Sequence, residues 1–419
     1  MQAKIILFAS PVFFVLIAIE FLVAWRRQRH AYRLNDAINS ISLGVMSQIS
    51  AALFKVLSIG IYAWALRHYA LFQLSADSLW VWGSGLLIYD FLYYWLHRMG
   101  HQTNLLWAAH VVHHQSEEYN LSTALRQTST GALFSWIFYI PLAILGFPVE
   151  VYVVIALIDL IYQFWIHTQQ IGKLGWFDRV FVSPSNHRVH HAVNDLYLDK
   201  NFGGILIIWD RLFGTYTDEL DAHPVVFGTR KPLRSWNPLW ANLEVYCAVA
   251  ATVWRTSRWH DKIKIWFMPP GWLPTDLKNQ QPAESFNLNH SLYNPTLSTG
   301  MRWYCLVQFT ITMHTTTHFL LSVPTTSVMS TIFYALWLVV SFWVVGGLLE
   351  QNRRFMLLES LRLMLCAGMV MVSPDWFGIV QLPLWAQVSI IATCLISLFS
   401  LSIIARNGSV SVFNNTNMN

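Results

Sequence analysis

The sequence predicts an all-α protein, a multi-pass transmembrane helical bundle of about nine spans with a histidine-rich cap on its cytoplasmic side. Three observations predict it. The composition is 55% hydrophobic and only 12% charged, against roughly 25% charged for an ordinary soluble domain, and the mean hydropathy is +0.41. Several apolar runs are long enough to cross a bilayer, which takes about 20 residues as helix. Nine of the sixteen histidines fall between His97 and His191.

The apolar runs occupy 5–24, 41–63, 78–96, 130–146, 149–166, 302–322, 326–347, 356–373 and 384–404. Arg26 and Arg27 follow the first run instead of preceding it, and no small-residue cleavage site is evident, so it reads as a retained helix and not as a signal peptide. Lys and Arg accumulate in cytoplasmic loops. Placing the N-terminus outside puts Arg26, Arg27, Arg29 and Arg33 inside after the first span, Arg353 and Arg354 inside after the seventh, and Arg406 inside at the tail, leaving Lys4 and Arg67 outside. The same count ends the third span inside at His97 and the fifth inside at His167, and makes 168–301 a cytoplasmic region. All nine clustered histidines then share one face, although the topology was set by charge alone. The chain divides accordingly into N-terminal transmembrane helices (1–77), a histidine-bearing domain (78–225), a cytoplasmic connecting region (226–301) and a C-terminal four-helix transmembrane region (302–419). The apolar stretch 203–214 is too short to span and is expected to lie on the membrane surface as an amphipathic helix.

The histidines form three clusters: His97 and His101; His110, His113 and His114; His187, His190 and His191. His167 stands alone at the end of a span. Residues three and four apart share a helix face, so each cluster presents its imidazoles along one stripe. A structural zinc takes four ligands and a catalytic zinc three. Eight or nine nitrogens therefore point to two metals sharing the set, the alternative being one metal with bystanders. Imidazole suits zinc, copper, nickel and iron alike, so the ligands do not choose the element. His30, His68, His223, His260 and His290 read as solitary surface or core residues.

Asp90 lies two helical turns before His97 on the same face, where it would ligate a metal, orient a ligand histidine or pack helices. His314 and His318 repeat the four-residue spacing, but three threonines between them suggest a polar helix interface in place of a second site. Glu359 and Arg362, three apart in the eighth span, read as a neutralising pair, with a cofactor or headgroup contact as the alternative. The four cysteines form no paired motif and read as reduced packing residues. A sequence pI near 9.0 is compatible with nucleic acid, but the basic residues distribute as membrane topology requires, and 21 tryptophans suit interfacial belts. Nucleic acid is excluded as a partner on these grounds.

HRMGH at 97–101, HVVHH at 110–114 and NHRVHH at 186–191, followed by YLDKNFGGILIIWDRLFGTY at 197–216, resemble the fatty acid hydroxylase and sterol desaturase superfamily over roughly residues 80–217. EEYNLSTALRQ at 117–127, the segment 167–187, KPLRSWNPLWAN at 231–242, WFMPPGW at 266–272 and the four spans after residue 300 resemble its alkylglycerol monooxygenase branch. The resemblance implies two irons, with zinc as the alternative, held by the nine histidines, with dioxygen as co-substrate and a membrane lipid as substrate. In that branch the carbon next to an ether oxygen is hydroxylated, with a tetrahydropterin as reductant; a separate electron donor is the alternative. Asp90, Glu118, Asn120, Gln169, Asn186 and Tyr216 are the candidates for holding ligands or touching substrate. Gln102 and Gln169 depart from the branch, which has a glutamate at both positions.

The chemistry accounts for the metal. No side chain attacks an unactivated C–H bond, so a redox cofactor has to do it while the protein supplies position and electrostatics. Zinc has no accessible redox change. Zinc in the site would therefore mean another class of protein, a metal-holding or lipid-binding membrane protein without catalysis. Within the oxidative class, a fatty acid or sterol hydroxylase or desaturase is the alternative to the ether-lipid reading.

Overall fold

The computed structural model describes residues 2–278, 287–288 and 291–415; His290 lies outside the described residues. The chain is mostly helical and divides into two compact units.

The first unit, residues 1–234 and 240–292, contains helices α1 (Gln2–Arg26), α2 (Leu34–Lys55), α3 (Ile61–Tyr69), α4 (Leu79–Gln102), α5 (Asn104–Ala108), α6 (Val111–His114), α7 (Leu121–Ala124), α8 (Trp136–Ile144), α9 (Val149–Trp165), α10 (Pro184–His190), α11 (Ile208–Leu212), α12 (Pro238–Arg255), α13 (Trp259–Phe267) and α14 (Thr275–Lys278). A π-helical turn at Val56–Gly60 joins α2 to α3. Tyr62, Val81, Tyr89, Tyr139, Leu142 and Ile155 meet in one core where α3, α4, α8 and α9 pack. Tyr62 stacks on Tyr152 at 4.3 Å and Tyr89 on Tyr139 at 4.5 Å, and these rings fix the upper part of α4, the helix that carries the first two site histidines.

The second unit, residues 235–239 and 293–419, contains α15 (Thr299–Ser322), α16 (Val328–Leu349), α17 (Arg353–Val372) and α18 (Leu384–Asn415), with a two-residue hairpin of β1 (Asp375–Trp376) and β2 (Val380–Gln381). A polar knot lies inside this bundle. Glu359, fully buried, takes two bonds from the Arg362 guanidinium at 2.8 Å each and one from the Tyr304 hydroxyl at 2.8 Å. Arg362 also donates to Gln308, whose amide donates to Ser397. The pair neutralises itself within the bundle. His314 bonds Thr310 of its own turn and His318 meets the Tyr334 hydroxyl, while Thr315, Thr316 and Thr317 each donate to the carbonyl four residues earlier.

Four described helices are long and apolar enough to cross a membrane: Leu34–Phe54, Val328–Leu349, Arg353–Val372 and Leu384–Arg406. By length and composition these helices are those of an integral membrane protein. The run 130–146, read as one span, is instead a 3₁₀ turn at Gly131–Leu133 followed by the nine-residue α8, about 14 Å long. The turn after α8 is made at Gly146, whose φ of +90° and 1.9 Å from an added Cβ to the Phe72 carbonyl oxygen admit only glycine. The surface helix expected over 203–214 is also corrected. Only Ile208–Leu212 is helical, and Phe202, Gly203, Gly204 and Ile205 are buried. The three cysteines in the second unit are buried, Cys247 is exposed, and all four are free thiols.

Candidate metal centre

Two short helices and the ends of two longer ones bring the nine histidines together. The last turns of α4 carry His97 and His101, α6 carries His113 and His114 with His110 at its N-terminal boundary, and α10 carries His187 and His190 with His191 capping its C-terminus. His167 follows the end of α9. Helix α10 starts where it does because Pro184 occupies the first turn and the Ser183 hydroxyl accepts from the Asn186 amide.

The set divides into two groups. His97, His101, His110, His114 and His190 form one; His113, His167, His187 and His191 form the other, and within each group one nitrogen per ring lies within 4.8 Å of every other. The three rings of a cluster do not share one stripe. In 110–114 the first and last rings join the five-histidine group and His113 joins the other; in 187–191 the first and last join the four-histidine group and His190 crosses over. Successive side chains on a helix diverge by about 100°, so adjacent histidines serve neighbouring sites.

Backbone carbonyls hold four of the outward ring nitrogens. His97 Nδ1 donates to the Phe202 carbonyl at 2.8 Å, His113 Nδ1 to Arg126 at 2.9 Å, His167 Nδ1 to Gln163 at 2.7 Å and His190 Nδ1 to Lys200 at 3.0 Å. His101 Nδ1 faces the Asp199 carboxylate at 3.4 Å. A neutral imidazole has a single N–H, so the four rings bonded to carbonyls each turn an unprotonated Nε2 inward. There the nitrogens crowd one another: His113 and His167 at 3.2 Å, His167 and His187 at 3.1 Å, His187 and His191 at 3.2 Å, His110 and His114 at 3.1 Å, His114 and His190 at 3.2 Å. His97 Nε2 and His101 Nε2 are buried without a partner. Between His113 and His167 the contact sets lone pair against lone pair, because both N–H groups are committed elsewhere. A proton is a poor remedy. Burial pushes His113 down to about 4, and burial together with neighbouring rings holds His114, His187, His190 and His191 well below the usual histidine range. A metal cation fits, since imidazole nitrogens about 2.0–2.1 Å from one ion lie roughly 2.8–3.4 Å apart for right-angled to tetrahedral pairs. Two ions, one per group, match the donor set.

The remaining candidates sit one layer further out. Asp90 accepts from the Ile205 and Leu206 amides at 2.7 and 3.1 Å and from the Trp209 indole at 2.8 Å; it anchors the segment whose Phe202 carbonyl holds His97. Glu118 pairs with Arg33, and burial pushes its carboxyl up to about 7 against the pull of that cation. Asn120 caps α7 by accepting from the Ser122 and Thr123 amides, and donates to the Ala31 carbonyl. Gln169 donates to the Tyr119 carbonyl at 3.0 Å. Asn186 donates to the Asp178 carbonyl at 3.0 Å. Tyr216 bonds Asp218 and lies under the Arg211 guanidinium.

Several residues were not singled out from the sequence. The Tyr119 ring lies along His167 with centroids 5.5 Å apart, and its hydroxyl donates to the Ile166 carbonyl. Arg126 is 1% exposed and is held by the Val112 carbonyl, Asn39 and Gln115, which fixes the carbonyl that receives His113. Asp199 lies in the 197–216 segment and offered a carboxylate near the boxes as its signal. The carbonyls of Phe202, Gln163 and Lys200 carry no side-chain signal at all.

The fatty acid hydroxylase family profile matches residues 82–215, the stretch that holds every clustered histidine. The chain is 36% identical to alkylglycerol monooxygenase of Homo sapiens over 84% of its own length and 80% of that protein, and 34% identical to the Xenopus tropicalis protein of the same name over 85% and 80%. It is 32% identical to an ornithine lipid hydroxylase of Rhizobium tropici over 32% of this chain and 40% of that protein. No solved structure matches.

Proposed function

The chain belongs to the fatty acid hydroxylase family, in its alkylglycerol monooxygenase branch, and from that premise we propose that it is a two-iron enzyme oxidising the carbon beside the ether oxygen of alkylglycerol lipids. That it is a lipid monooxygenase follows from the family. The observation that carries the finer reading is the nine inward ring nitrogens, divided five and four. Bound there, a redox-active metal pair supplies the dioxygen chemistry that no side chain can perform. Insertion of one oxygen atom into the C–H bond gives a hemiacetal, which collapses to a fatty aldehyde and a free glycerol hydroxyl. The second oxygen atom leaves as water, with two electrons from a tetrahydropterin.

The chain's own part is placement. Backbone carbonyls of Phe202, Arg126, Gln163 and Lys200 fix the tautomer and tilt of four rings. Tyr119 closes the four-histidine group from water. His110 alone among the nine is only half-buried, and Trp107 lies against His101 and His114 beside it; the lipid reaches the five-histidine group on this side. Arg27 and Arg29 donate to the carbonyls of Gln170 and Gln169, just past His167, and the bias of such basic residues toward the cytoplasm supports a cytoplasmic site at headgroup depth, where the ether linkage arrives while the chain stays in the bilayer. The fatty acid hydroxylase reading of substrate is weaker, because the ornithine lipid and fatty acid hydroxylases resemble only about a third of the chain, whereas similarity to alkylglycerol monooxygenases extends over about 85%.

The test is metal analysis of detergent-purified protein beside His110→Ala, with an oxygen-dependent assay of an alkylglycerol and a tetrahydropterin. About two irons per chain, reduced in the variant, with aldehyde released, is the expected result. Iron without aldehyde moves the substrate to another lipid class, and zinc overturns the redox mechanism.

A further inference from the structure

Helix α13 turns one face inward and leaves an apolar stripe on the opposite face. Asp261 and Ile265 are 4% and 1% exposed and face the protein, and the carbonyls of Ile265 and Met268 accept from the Asn104 side chain and backbone amide at 2.8 Å each. At about 100° per residue, Trp259, Ile263 and Phe267 fall on the opposite side. They are 81%, 70% and 59% exposed. Lys262 and Lys264 flank this stripe, one on each side, and Trp254, 87% exposed, precedes it. From Trp254 to Met268 the sequence holds four Lys or Arg and a single acid, Asp261, which is turned inward and bridged by Arg258 at 2.7 Å.

A stripe of large apolar side chains facing away from the protein needs a cover. Nine residues, about 14 Å of helix, are too short to cross a bilayer core of about 30 Å. Aromatic and aliphatic side chains flanked by lysines are what an interfacial helix presents, with the apolar side chains in the headgroup layer and the amines reaching anionic phosphates. We propose that α13 is a membrane-surface helix that seats the Trp259, Ile263 and Phe267 stripe in an anionic leaflet. Through Asn104 it holds the segment between His101 and His110 at that surface. The proposal is independent of which lipid is oxidised.

The test uses the full chain with Cys247→Ser, which removes the exposed thiol and leaves three buried ones, and Ile263→Cys carrying a nitrobenzoxadiazole label. The protein is reconstituted in phosphatidylcholine vesicles with and without phosphatidylglycerol. In anionic vesicles the label should emit at shorter wavelength, resist aqueous iodide and be quenched by a nitroxide lipid at headgroup depth. Adding Lys262→Gln and Lys264→Gln should weaken that protection roughly fivefold per charge removed, with metal content unchanged. The same label at Phe267→Cys gives an independent reading. Unhindered iodide quenching at both positions overturns the proposal. A label shielded from iodide and from the nitroxide lipid also overturns it, because a protein surface then covers the stripe. Equal protection in both vesicle types overturns the anionic preference.

Discussion

Replacing Gly204 by alanine should loosen the metal centre without touching a ligand. A Cβ at this position would lie 2.7 Å from Asp159 Oδ1, 2.8 Å from Tyr93 Cδ1 and 3.1 Å from Asp90 Oδ1. These atoms stand on α4 and α9, which pack firmly against each other, so the segment 202–206 has to give way. The Phe202 carbonyl moves with it, and its 2.8 Å bond to His97 Nδ1 passes beyond the roughly 3.2 Å limit of a good N–H···O bond once the segment shifts by about half an ångström. Overpacking of this kind costs about 1–3 kcal/mol. Losing the outer partner of a ligand histidine lowers metal affinity about 10–100-fold. The assay is metal retained per chain against a chelator titration, with thermal unfolding in the same detergent. Gly83→Ala is the control, on the same helix as His97 but with nothing within 4 Å of the added carbon, where the change should stabilise by roughly 0.5–1 kcal/mol. If Gly204→Ala holds its metal through the same chelator concentration as the parent, the backbone carbonyl does not position His97 as argued.

The apo protein should lose stability as pH falls. His113 is depressed from its ordinary 6.5 to about 4, so the stability it contributes is fully present above 6.5 and is lost as pH drops towards 4; unfolding midpoints of metal-stripped protein between pH 7.5 and 4.5 check this, and a flat profile contradicts it. Arg362→Leu should destabilise the C-terminal bundle by about 3–5 kcal/mol by stranding Glu359. The double variant with Glu359→Leu should recover much of that loss in thermal or proteolytic assays. Gln169→Glu replaces the amide that donates to the Tyr119 carbonyl with a carboxylate that cannot donate, costing about 1–3 kcal/mol, read as a lower unfolding midpoint; an unchanged midpoint means the loop finds another donor. His113→Ala and His114→Ala, neighbours in sequence, should each remove one ion of two, because they serve different groups. Loss of both ions from either variant would show one shared site.

The helical class and the membrane setting were legible because both depend on composition and on runs of apolar residues, which average over many positions. The helix boundaries were less so, and the reason is visible at 130–146. Trp136–Ile144 is apolar enough to suggest a span, but Gly146 has to meet the Phe72 carbonyl, a tertiary contact that no local pattern announces. The stretch 203–214 misled for the opposite reason. Its first part, Gly203, Gly204, Ile205 and Ile207, is buried while Leu212 and Phe213 stay exposed, and what draws that part inward is the Asp90 carboxylate gathering the amides of Ile205 and Leu206. Asp90 was legible as a functional suspect, but its action through a loop was not, since the loop's backbone amides look alike in any sequence.

At the metal centre the spacing said more than the notion of a shared face extracted from it. A box of the form HxxHH has its first and last members one turn apart and its fourth member about 60° to one side. Such a box cannot converge on one ion, and two boxes of this form set against each other resolve the conflict by exchange. The 110–114 box sends two rings to the first group and one to the second, while the 187–191 box sends one to the first and two to the second. His97 and His101 raise the first group to five and His167 raises the second to four. His167 is thereby explained. Without it the second group would hold three nitrogens drawn from two helices alone, and the Gln163 carbonyl, one turn back on α9, sets its ring at 3.1–3.2 Å from both His113 and His187. The isolated histidine is as integral to the geometry as any boxed one, and the two metal groups share α6 and α10 so closely that a distortion of either helix reaches both.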